Sequence, residues 1–416
     1  MSRLLFTLWD GGGNVPPILG LAGDLVNRGH EVSVIADPSL GESVTRAGAQ
    51  HLPWVRAPHR ASADPSTEFI RDFEPLTPLG AAGRIRDRLI VRPAEAFAED
   101  TREVIEQVEA EVVISDVLLL GSQVAAVDAG LPNLSVAPNI YPGIVPGVPP
   151  FGLGLQARDD GLGRIRDRAV GAVVHGLWDR RLGDANRVLT RHGQPQLSTL
   201  FEMLERPDRV LVLTTAAFEL GGGAGVPSNV IYCGPRLEDP DWTADWSEPE
   251  GEGPLVLVSL STTIQGQDKM MRRIIEALGR LPVRGLITTG PSFSASDLKV
   301  PANVTVVESA PHSAVMPRAD LVLTHAGHGT VIKSLAHGVP LLCMPVGRDQ
   351  PDTAARVVAC GAGLSLRPGA GARSIERALR KILADPTYRE RAEEMAKAIA
   401  ADREKDTAVK EIEAFT

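Results

Sequence analysis

The sequence has little cysteine and no long uninterrupted apolar segment. Its three cysteines, Cys233, Cys343 and Cys360, are too few and too widely spaced for a disulfide framework or a cysteine-based metal site. No apolar run approaches the roughly 18 residues that a membrane-spanning helix needs. The residues after Met1 lead directly into a short strand pattern, without the apolar core of a secretory signal. These absences predict a soluble, cytoplasmic protein.

The chain also lacks an excess of positive charge. With 52 acidic and 43 basic residues, its net charge is −9 and its isoelectric point is about 5.6. This balance argues against nucleic acid or an anionic membrane as the main partner. What is present is the composition of a globular protein, with 43% hydrophobic and 23% charged residues over 416 positions. That length is enough for two domains, each with its own core.

Two series of alternating strand and helix patterns divide the chain. The first opens with an apolar strand at Leu4–Trp9, a glycine-rich loop, a helix that starts at Pro16, and a strand at Glu31–Ala36. An acidic stretch rich in proline and glycine, Pro235–Gly253, has no periodicity and predicts an interdomain linker. The alternation then resumes, which predicts an α/β fold of two Rossmann-like, doubly wound domains that face a central cleft. The predicted parts are an acceptor-binding domain (1–234), a linker (235–253) and a nucleotide-binding domain (254–416), whose last helix could pack back on the first domain.

The segment Thr324–Gln350 has the pattern of a phosphate site. An apolar strand ends at Thr324, a turn with Gly327 and Gly329 follows, and a helix is predicted from about Thr330. A helix N-terminus after such a turn offers backbone N–H groups and a favourable dipole to a phosphate. Tight packing of helix on strand is the structural alternative. A dinucleotide site is disfavoured, because no G-x-G-x-x-G follows a strand.

At these residues the sequence resembles a known family. His325–Gln350, preceded by Ala310-Pro311-His312, resembles the nucleotide-sugar signature of the family 1 glycosyltransferases, GT-B enzymes that act on small lipophilic acceptors. Gly13–Pro17 with the helix after it resembles their first loop and helix, and Ser259–Thr262 looks like the first turn of their C-terminal domain. The likeness is strongest to bacterial enzymes that glycosylate macrolides and other polyketides.

The resemblance implies a GT-B architecture and an inverting, metal-independent transfer. The donor would be a UDP- or dTDP-sugar, used as co-substrate with no cofactor, and the acceptor a hydroxyl of a small natural product. The implied partners are small molecules only, with no nucleic acid and no membrane, in a monomer or homodimer. Two alternatives remain open: a non-catalytic relative that binds nucleotide sugar or assists a partner, and a GT-B enzyme of another reaction, such as a sugar epimerase.

The resemblance also assigns donor-binding roles by position. His325 would contact the diphosphate, with N–H and hydroxyl donors from the turn after it and Thr262 nearby. Asp349 and Gln350 would bind sugar hydroxyls, as their acceptor and donor groups suit a polyol. The remaining members of the implied donor site are Gly327, His328, Gly329 and Thr330 in the turn, where plant enzymes carry Trp at the position of His328, and Ala310 and His312 against the base.

Two departures from the family pattern concern the nucleoside and the catalytic base. Lys333 occupies the position at which the family commonly has a carboxylate for the ribose hydroxyls, so the choice between uridine and thymidine donors stays open. Asn14 occupies the position of the family's catalytic His or Asp, and an amide cannot accept a proton near neutral pH. We expect Asp116 or Asp10 to deprotonate the acceptor, with Asn14 as a positioning group. Turn or cap chemistry is the structural alternative for both carboxylates.

The acceptor side is predicted from a long loop. Pro138–Gly154 is dense in proline and glycine and follows a predicted strand, where it could be a linker or line an apolar pocket. Its aromatic residues, Tyr141 and Phe151, are the candidate acceptor contacts.

Overall fold

The structure is a computed structural model that describes residues 1–62, 64, 67–75, 77–158, 160–239, 246–260, 267–290 and 299–416. Its described strands form two parallel sheets, one of seven strands and one of six. Each sheet is covered by helices on both faces, as apolar parallel strands require. Within the described residues, no helix is long and apolar enough to cross a membrane.

The first sheet has the strand order β3-β2-β1-β4-β5-β6-β7. Its strands are β1 (Arg3–Thr7), β2 (Glu31–Ala36), β3 (Gln50–Pro53), β4 (Val112–Asp116), β5 (Asn133–Ala137), β6 (Arg209–Val212) and β7 (Val230–Tyr232). Its helices are α1 (Val15–Asn27), α2 (Gly41–Arg46), α3 (Pro78–Ile85), α4 (Ala94–Val108), α5 (Leu120–Asp128), α6 (Gly161–Trp178) and α7 (Leu182–Arg191). The strand order reverses between β1 and β4, and ligands bind at such reversal points, outside the carboxyl ends of the strands.

The second sheet has the order β10-β9-β8-β11-β12-β13 and reverses between β8 and β11. Its strands are β8 (Leu255–Ser259), β9 (Arg284–Thr288), β10 (Val304–Val307), β11 (Leu321–Thr324), β12 (Leu341–Cys343) and β13 (Gly363–Ser365). Its helices are α8 (Asp268–Leu278), α9 (His312–Val315), α10 (His328–Ala336), α11 (Gln350–Ala359), α12 (Ala372–Ala384) and α13 (Thr387–Lys405), and a last helix, α14 (Thr407–Glu413), follows them in the chain. The predicted fold class, two doubly wound parallel-sheet domains, is therefore confirmed.

The last helix returns to the first domain. Helix α13 packs on α10 of the second domain, whereas α14 packs beside α1. Val409 and Ile412 of α14 are fully buried in the same core as Leu4 and Phe6 of β1. At the surface, Arg28 contacts Glu413 across this junction, with 3.2 Å between Nη1 and Oε2.

The structure adds two strands to those predicted and moves the start of one helix. Strands β3 and β7 were not predicted, and α10 begins at His328 rather than Thr330. Of the stretch predicted as a linker, 235–239 and 246–253 are described, and both parts contact the second domain. Asp239 pairs with Lys333 (Nζ–Oδ1 2.7 Å), and Glu248 pairs with Arg284 (Nη1–Oε1 2.6 Å).

Candidate functional site

A cleft of about 1020 Å³ lies between the domains. Its lining includes the loops that follow β1 and β4 at the reversal point of the first sheet, and the loops after β8 and β11 at that of the second. Both reversal points therefore open onto one cavity, the arrangement in which a ligand can contact both domains.

The turn after β11 brings His325 to this cleft. A methyl group at Gly327 would lie 2.6 Å from His325 Nε2, so only glycine lets the ring pack against the turn. Ala326 between them has a left-handed backbone, φ 68°, a strained conformation that often occurs at binding sites. Burial lowers the pKa of His325 to about 4, so the imidazole is neutral near pH 7 and can donate one hydrogen bond.

Helix α10 starts at this turn, and its first three residues, His328, Gly329 and Thr330, line the cleft. Gly327, the residue before the helix, supplies no side-chain cap to the first N–H groups of α10.

His328 connects the domains at the same point. Its Nε2 lies 3.1 Å from Thr214 Oγ1 of the first domain, and its ring packs near Phe218. Burial lowers the pKa of His328 to about 3, so it stays neutral. The side chain lines the cleft and also forms an interdomain contact.

The loop after β12 places the Asp-Gln pair. Gln350 Oε1 accepts hydrogen bonds from the N–H groups of Val346 (2.9 Å) and Gly347 (3.1 Å), which fixes the loop conformation. Asp349 Oδ2 accepts a hydrogen bond from Asn139 Nδ2 of the first domain at 2.9 Å. Burial raises the pKa of Asp349. Both side chains line the cleft.

The two residues predicted to face the base both border the cleft. Ala310 and His312 line it, and burial lowers the pKa of His312 to about 4. Lys333 is not directed to solvent, since the residue is only 7% exposed. Its Nζ donates a hydrogen bond to Asp239 Oδ1 at 2.7 Å. Asp239 also accepts a hydrogen bond from the N–H of Ser313 at 3.0 Å. Thr262 lies outside the described residues.

Asn14 and Asp116 meet on the opposite wall. Asn14 Nδ2 donates to Asp116 Oδ2 and to the carbonyl of Trp9, each at 3.0 Å. Asn14 Oδ1 accepts the N–H of Gly11 at 3.0 Å, which fixes the orientation of the amide. The amide is therefore a donor toward Asp116.

Asp116 ends strand β4 with its side chain enclosed. The residue is 2% exposed, and Oδ1 accepts the N–H of Leu118 at 3.0 Å. Burial raises the pKa of this carboxyl to about 6, although the hydrogen bonds from Leu118 and Asn14 favour its ionised form. At pH 7 it is a carboxylate that is more basic than a solvated one, which suits it to accept a proton.

Asp10 has a different environment. Its Oδ2 accepts Ser39 Oγ at 2.9 Å and pairs with Arg60 Nη1 at 3.2 Å, and its Oδ1 accepts the N–H of Gly12 at 3.3 Å. Its own N–H donates to the buried Asp37 at 2.8 Å. Asp10 thus has the contacts of a residue that shapes the loop.

The two predicted acceptor residues lie in different parts of the structure. Phe151 lines the cleft. Tyr141 is not among the described residues that line it; the side chain packs in the core of the first domain, 3% exposed. Its N–H donates to Glu219 Oε1 at 3.0 Å, next to the buried ion pair of Glu219 with Arg356.

Other residues of the site were missed by the sequence reasoning. Arg348, next to Asp349 in the second domain, contacts the first domain. Asn139, in the loop after β5 of the first domain, contacts the second. Asp72 lies in the aperiodic segment 56–79 and binds Arg348. The position of Arg348 next to the Asp-Gln pair was the only local signal, because the partners are far apart in the chain.

Comparison with known proteins agrees with this geometry. The sequence model of the family described as "Erythromycin biosynthesis protein CIII-like, C-terminal domain" matches residues 272–415. The 4'-demethylrebeccamycin synthase of Lentzea aerocolonigenes is 32% identical over 397 residues, covering 93% of this chain and 93% of that protein. The demethyllactenocin mycarosyltransferase of Streptomyces fradiae is 27% identical over 379 residues, covering 89% of this chain and 76% of that protein.

Solved structures share the fold over the whole chain. The glycotransferase of kitacinnamycin superimposes with a TM-score of 0.78 at 23% identity, covering 100% of this chain and 98% of that one. The Streptomyces sp. SF2575 glycosyltransferase SsfS6, solved with thymidine diphosphate, gives a TM-score of 0.66 at 21% identity and covers 100% of both chains. At these identities the structures establish the fold, and the sequence relatives establish the family. The chain belongs to the family 1 glycosyltransferases of GT-B fold, and it has glycosyltransferase activity.

Proposed function

We propose that the protein moves a sugar from a UDP- or dTDP-sugar to a hydroxyl of a small apolar natural product, with inversion at the anomeric carbon. The second domain, 254–416, would bind the donor, and the first, 1–234, the acceptor. The observation that carries this proposal is the Asn14–Asp116 pair, which faces the His325–Thr330 turn across one cleft.

Donor binding is supported by the chemistry of the second domain. The uncapped N-terminus of α10 suits a diphosphate, and His325, neutral and able to donate, lies beside it. Asp349 would accept hydrogen bonds from sugar hydroxyls, with Gln350 fixing its loop. Names of relatives add support: one solved neighbour holds thymidine diphosphate, and one relative is a mycarosyltransferase.

Acceptor binding is supported by the apolar lining of the first domain. Most of its side chains in the cleft, apart from those of the loop Trp9–Asn14, are aliphatic or aromatic. They include Leu79, Ile85, Ile90, Phe151, Val174, Trp178, Phe201 and Met203. Such a wall suits a polyketide or another largely apolar acceptor.

The reaction can then be written with Asp116 as proton acceptor. The acceptor O–H proton moves to the Asp116 carboxylate as the acceptor oxygen bonds to the anomeric carbon. The bond from that carbon to the phosphate oxygen breaks, and its electron pair leaves with the diphosphate. Asn14 holds Asp116 by its N–H, while α10 and His325 stabilise the charge that develops on the leaving group. Phenolic acceptors need less assistance than alcohols, because their O–H groups are more acidic.

Turnover with matched donors tests the proposal. Purified protein would be incubated with UDP- or dTDP-glucose and a panel of phenolic and aliphatic polyketide acceptors, and products would be identified by mass spectrometry. We expect a glycoside of inverted configuration, visible in the NMR coupling of the anomeric proton. A protein that binds the nucleotide sugar in a thermal-shift assay but gives no glycoside with any acceptor would instead support a non-catalytic role.

A further inference from the structure

Arg348 joins the donor side of the cleft to the loop Gly11–Asn14 of the first domain. It belongs to the loop between β12 and α11, directly before Asp349, and its backbone is left-handed, with φ 55°. A non-glycine residue keeps this strained conformation only where its surroundings determine it. Its guanidinium is directed into the first domain, where it contacts Asp72 and Gly11.

Within the part of the first domain that the structure describes, the guanidinium hydrogen-bonds to Asp72 and to Gly11. It forms a two-pronged ion pair with Asp72, with Nε–Oδ2 at 2.6 Å and Nη2–Oδ1 at 2.9 Å. Its Nη1 donates to the carbonyl of Gly11 at 3.1 Å. The Asp72 side chain is 7% exposed and that of Arg348 20%, so the pair is largely shielded from water. A bidentate pair of this kind fixes orientation as well as contact.

Gly11 continues the connection to the proposed proton acceptor. Its carbonyl is held by Arg348, and its N–H donates to Asn14 Oδ1 at 3.0 Å. Asn14 in turn donates to Asp116 Oδ2 at 3.0 Å. A continuous chain of hydrogen bonds therefore runs from Asp72 through Arg348, Gly11 and Asn14 to Asp116.

The local packing makes this loop sensitive to its outer contact. A methyl group at Gly11 would lie 2.6 Å from the Trp9 indole and 2.7 Å from Asn14 Oδ1, so the loop fits closely around the Asn14 amide. A shift of the Gly11 peptide would turn or displace that amide and with it the hydrogen bond to Asp116.

We propose that Arg348, held by Asp72, is a positioning residue that aligns the Gly11–Asn14 loop so that Asn14 presents Asp116 to the acceptor. Because Arg348 comes from the second domain, this alignment requires the two domains to be closed on each other. Its neighbour Asp349 is a proposed sugar contact, so donor binding and placement of the base share one loop. The inference rests on the proposed function, in which Asp116 takes the proton.

The variants Arg348→Lys and Asp72→Asn test this role. Lysine keeps the charge but loses the fork, and asparagine keeps the shape but loses the charge. We expect kcat to fall about 10- to 100-fold in both, since small misplacements of catalytic groups have effects of this size. The Kd for UDP or dTDP, measured by calorimetry, should stay within about threefold of wild type. The control is Arg391→Lys, at an exposed ion pair with Glu394, and it should keep the wild-type rate.

The pH profile supplies a readout that a purely structural role would not change. The hydrogen bond from Asn14 lowers the pKa of Asp116. If the loop relaxes, that bond is lost, the pKa of Asp116 rises, and the acid limb of the kcat profile moves to higher pH in both variants. Unchanged kcat and an unmoved acid limb would overturn the proposal, as would a fall in activity matched by an equal loss of nucleotide affinity.

A spectroscopic measurement separates this inference from the proposed function. Protein labelled with 5-fluorotryptophan would be compared by fluorine NMR, with Trp9→Phe used to assign the Trp9 signal. We expect the Trp9 resonance to shift in Arg348→Lys and Asp72→Asn but not in Arg391→Lys, even if no acceptor is turned over. A wild-type protein without transfer activity would refute the proposed function alone, whereas an unmoved Trp9 signal would refute the loop coupling.

Discussion

At the scale of single residues, the direction of one hydrogen bond decides which group can take a proton. The Asn14 amide is fixed as a donor because its oxygen is occupied by the N–H of Gly11. The carboxylate of Asp116 therefore receives the hydrogen bond and remains the only member of the pair with basic character. Asp10, ion-paired with Arg60, is bound into the loop.

Replacing Asp116 by asparagine should remove the proton acceptor. We expect Asp116→Asn to lower kcat for an aliphatic alcohol by about 10²- to 10⁴-fold, the usual contribution of general base catalysis. The loss for a phenol should be smaller. Steady-state assays with both acceptors would measure this. Asp10→Asn is the comparison variant and should have the smaller effect of the two; full turnover by Asp116→Asn would contradict the assignment.

The acid limb of activity should reflect the same carboxyl. With the pKa of Asp116 raised to about 6 by burial, kcat should decrease as the pH falls below about 6, because the protonated acid cannot act as base. A profile that stays flat down to pH 5 would exclude Asp116 as the titrating group.

The stability of the protein should change with pH in the opposite direction to its activity. The pKa of Asp116 is about 6 when folded, above its usual value of 3.8. The folded state therefore binds the proton more tightly than the unfolded state does. The stability gained from this proton binding is complete below the unfolded pKa and is lost as the pH rises through about 6. We expect the unfolding free energy of wild type, relative to Asp116→Asn, to increase as the pH falls from 8 to 5. Chemical denaturation at several pH values measures the difference; a constant difference would contradict the raised pKa.

At the scale of elements, strands and helices with a strong local pattern could be predicted from the sequence. Weakly patterned strands and contacts between distant residues could not. The strand β11, the turn with Gly327 and the presence of α10 follow from local pattern, because apolar runs and glycines specify them within a few residues. Strand β3, Gln50–Pro53, lies at a sheet edge with no residue fully buried, so it has no apolar signal. The Arg348–Asp72 pair joins residues 276 positions apart, which no local pattern encodes.

The turn before α10 should tolerate no side chain at Gly327. We expect Gly327→Ala to displace the His325 ring, because the new methyl group would lie 2.6 Å from Nε2. The affinity for UDP or dTDP should fall about tenfold, which corresponds to the loss of about one charge-assisted hydrogen bond. Calorimetry measures the change. Gly176→Ala, where a methyl group would meet nothing within 4 Å, is the matched control, and equal affinities in both variants would count against the role of His325.

At the scale of the whole molecule, the two domains are joined by buried polar contacts around the cleft. Arg356 of α11 pairs with Glu219 of the first domain at 2.5 Å, both side chains being about 5% exposed or less. Asp352 accepts the N–H of Gly152 at 2.8 Å. The two-domain plan could be read from the sequence because each domain repeats one β/α rhythm. These contacts could not, since they depend on how the finished domains meet.

Breaking the buried pair should destabilise the protein. Glu219→Gln keeps an oxygen for the N–H of Tyr141 but leaves the Arg356 charge without its counter-ion. We expect a loss of about 3–5 kcal/mol in the free energy of unfolding, as for other broken buried pairs. The exposed pair Arg391–Glu394 provides the control: Glu394→Gln should cost at most about 1 kcal/mol. Equal denaturation midpoints for the two variants would show that the interdomain pair contributes little.

The helix α14 has a consequence for how the protein is made and recombined. Its residues Val409 and Ile412 complete the core of the first domain, yet they follow the entire second domain in the chain. During synthesis the first domain therefore emerges with an apolar groove beside α1 that stays open until the second domain has been translated. A chimera that exchanges second domains with a single crossover in the predicted linker, 235–253, would insert a foreign helix into this groove. A second crossover at Asp406, between α13 and α14, would take α14 from the same parent as the first domain. The core of the first domain then keeps the helix that fits it.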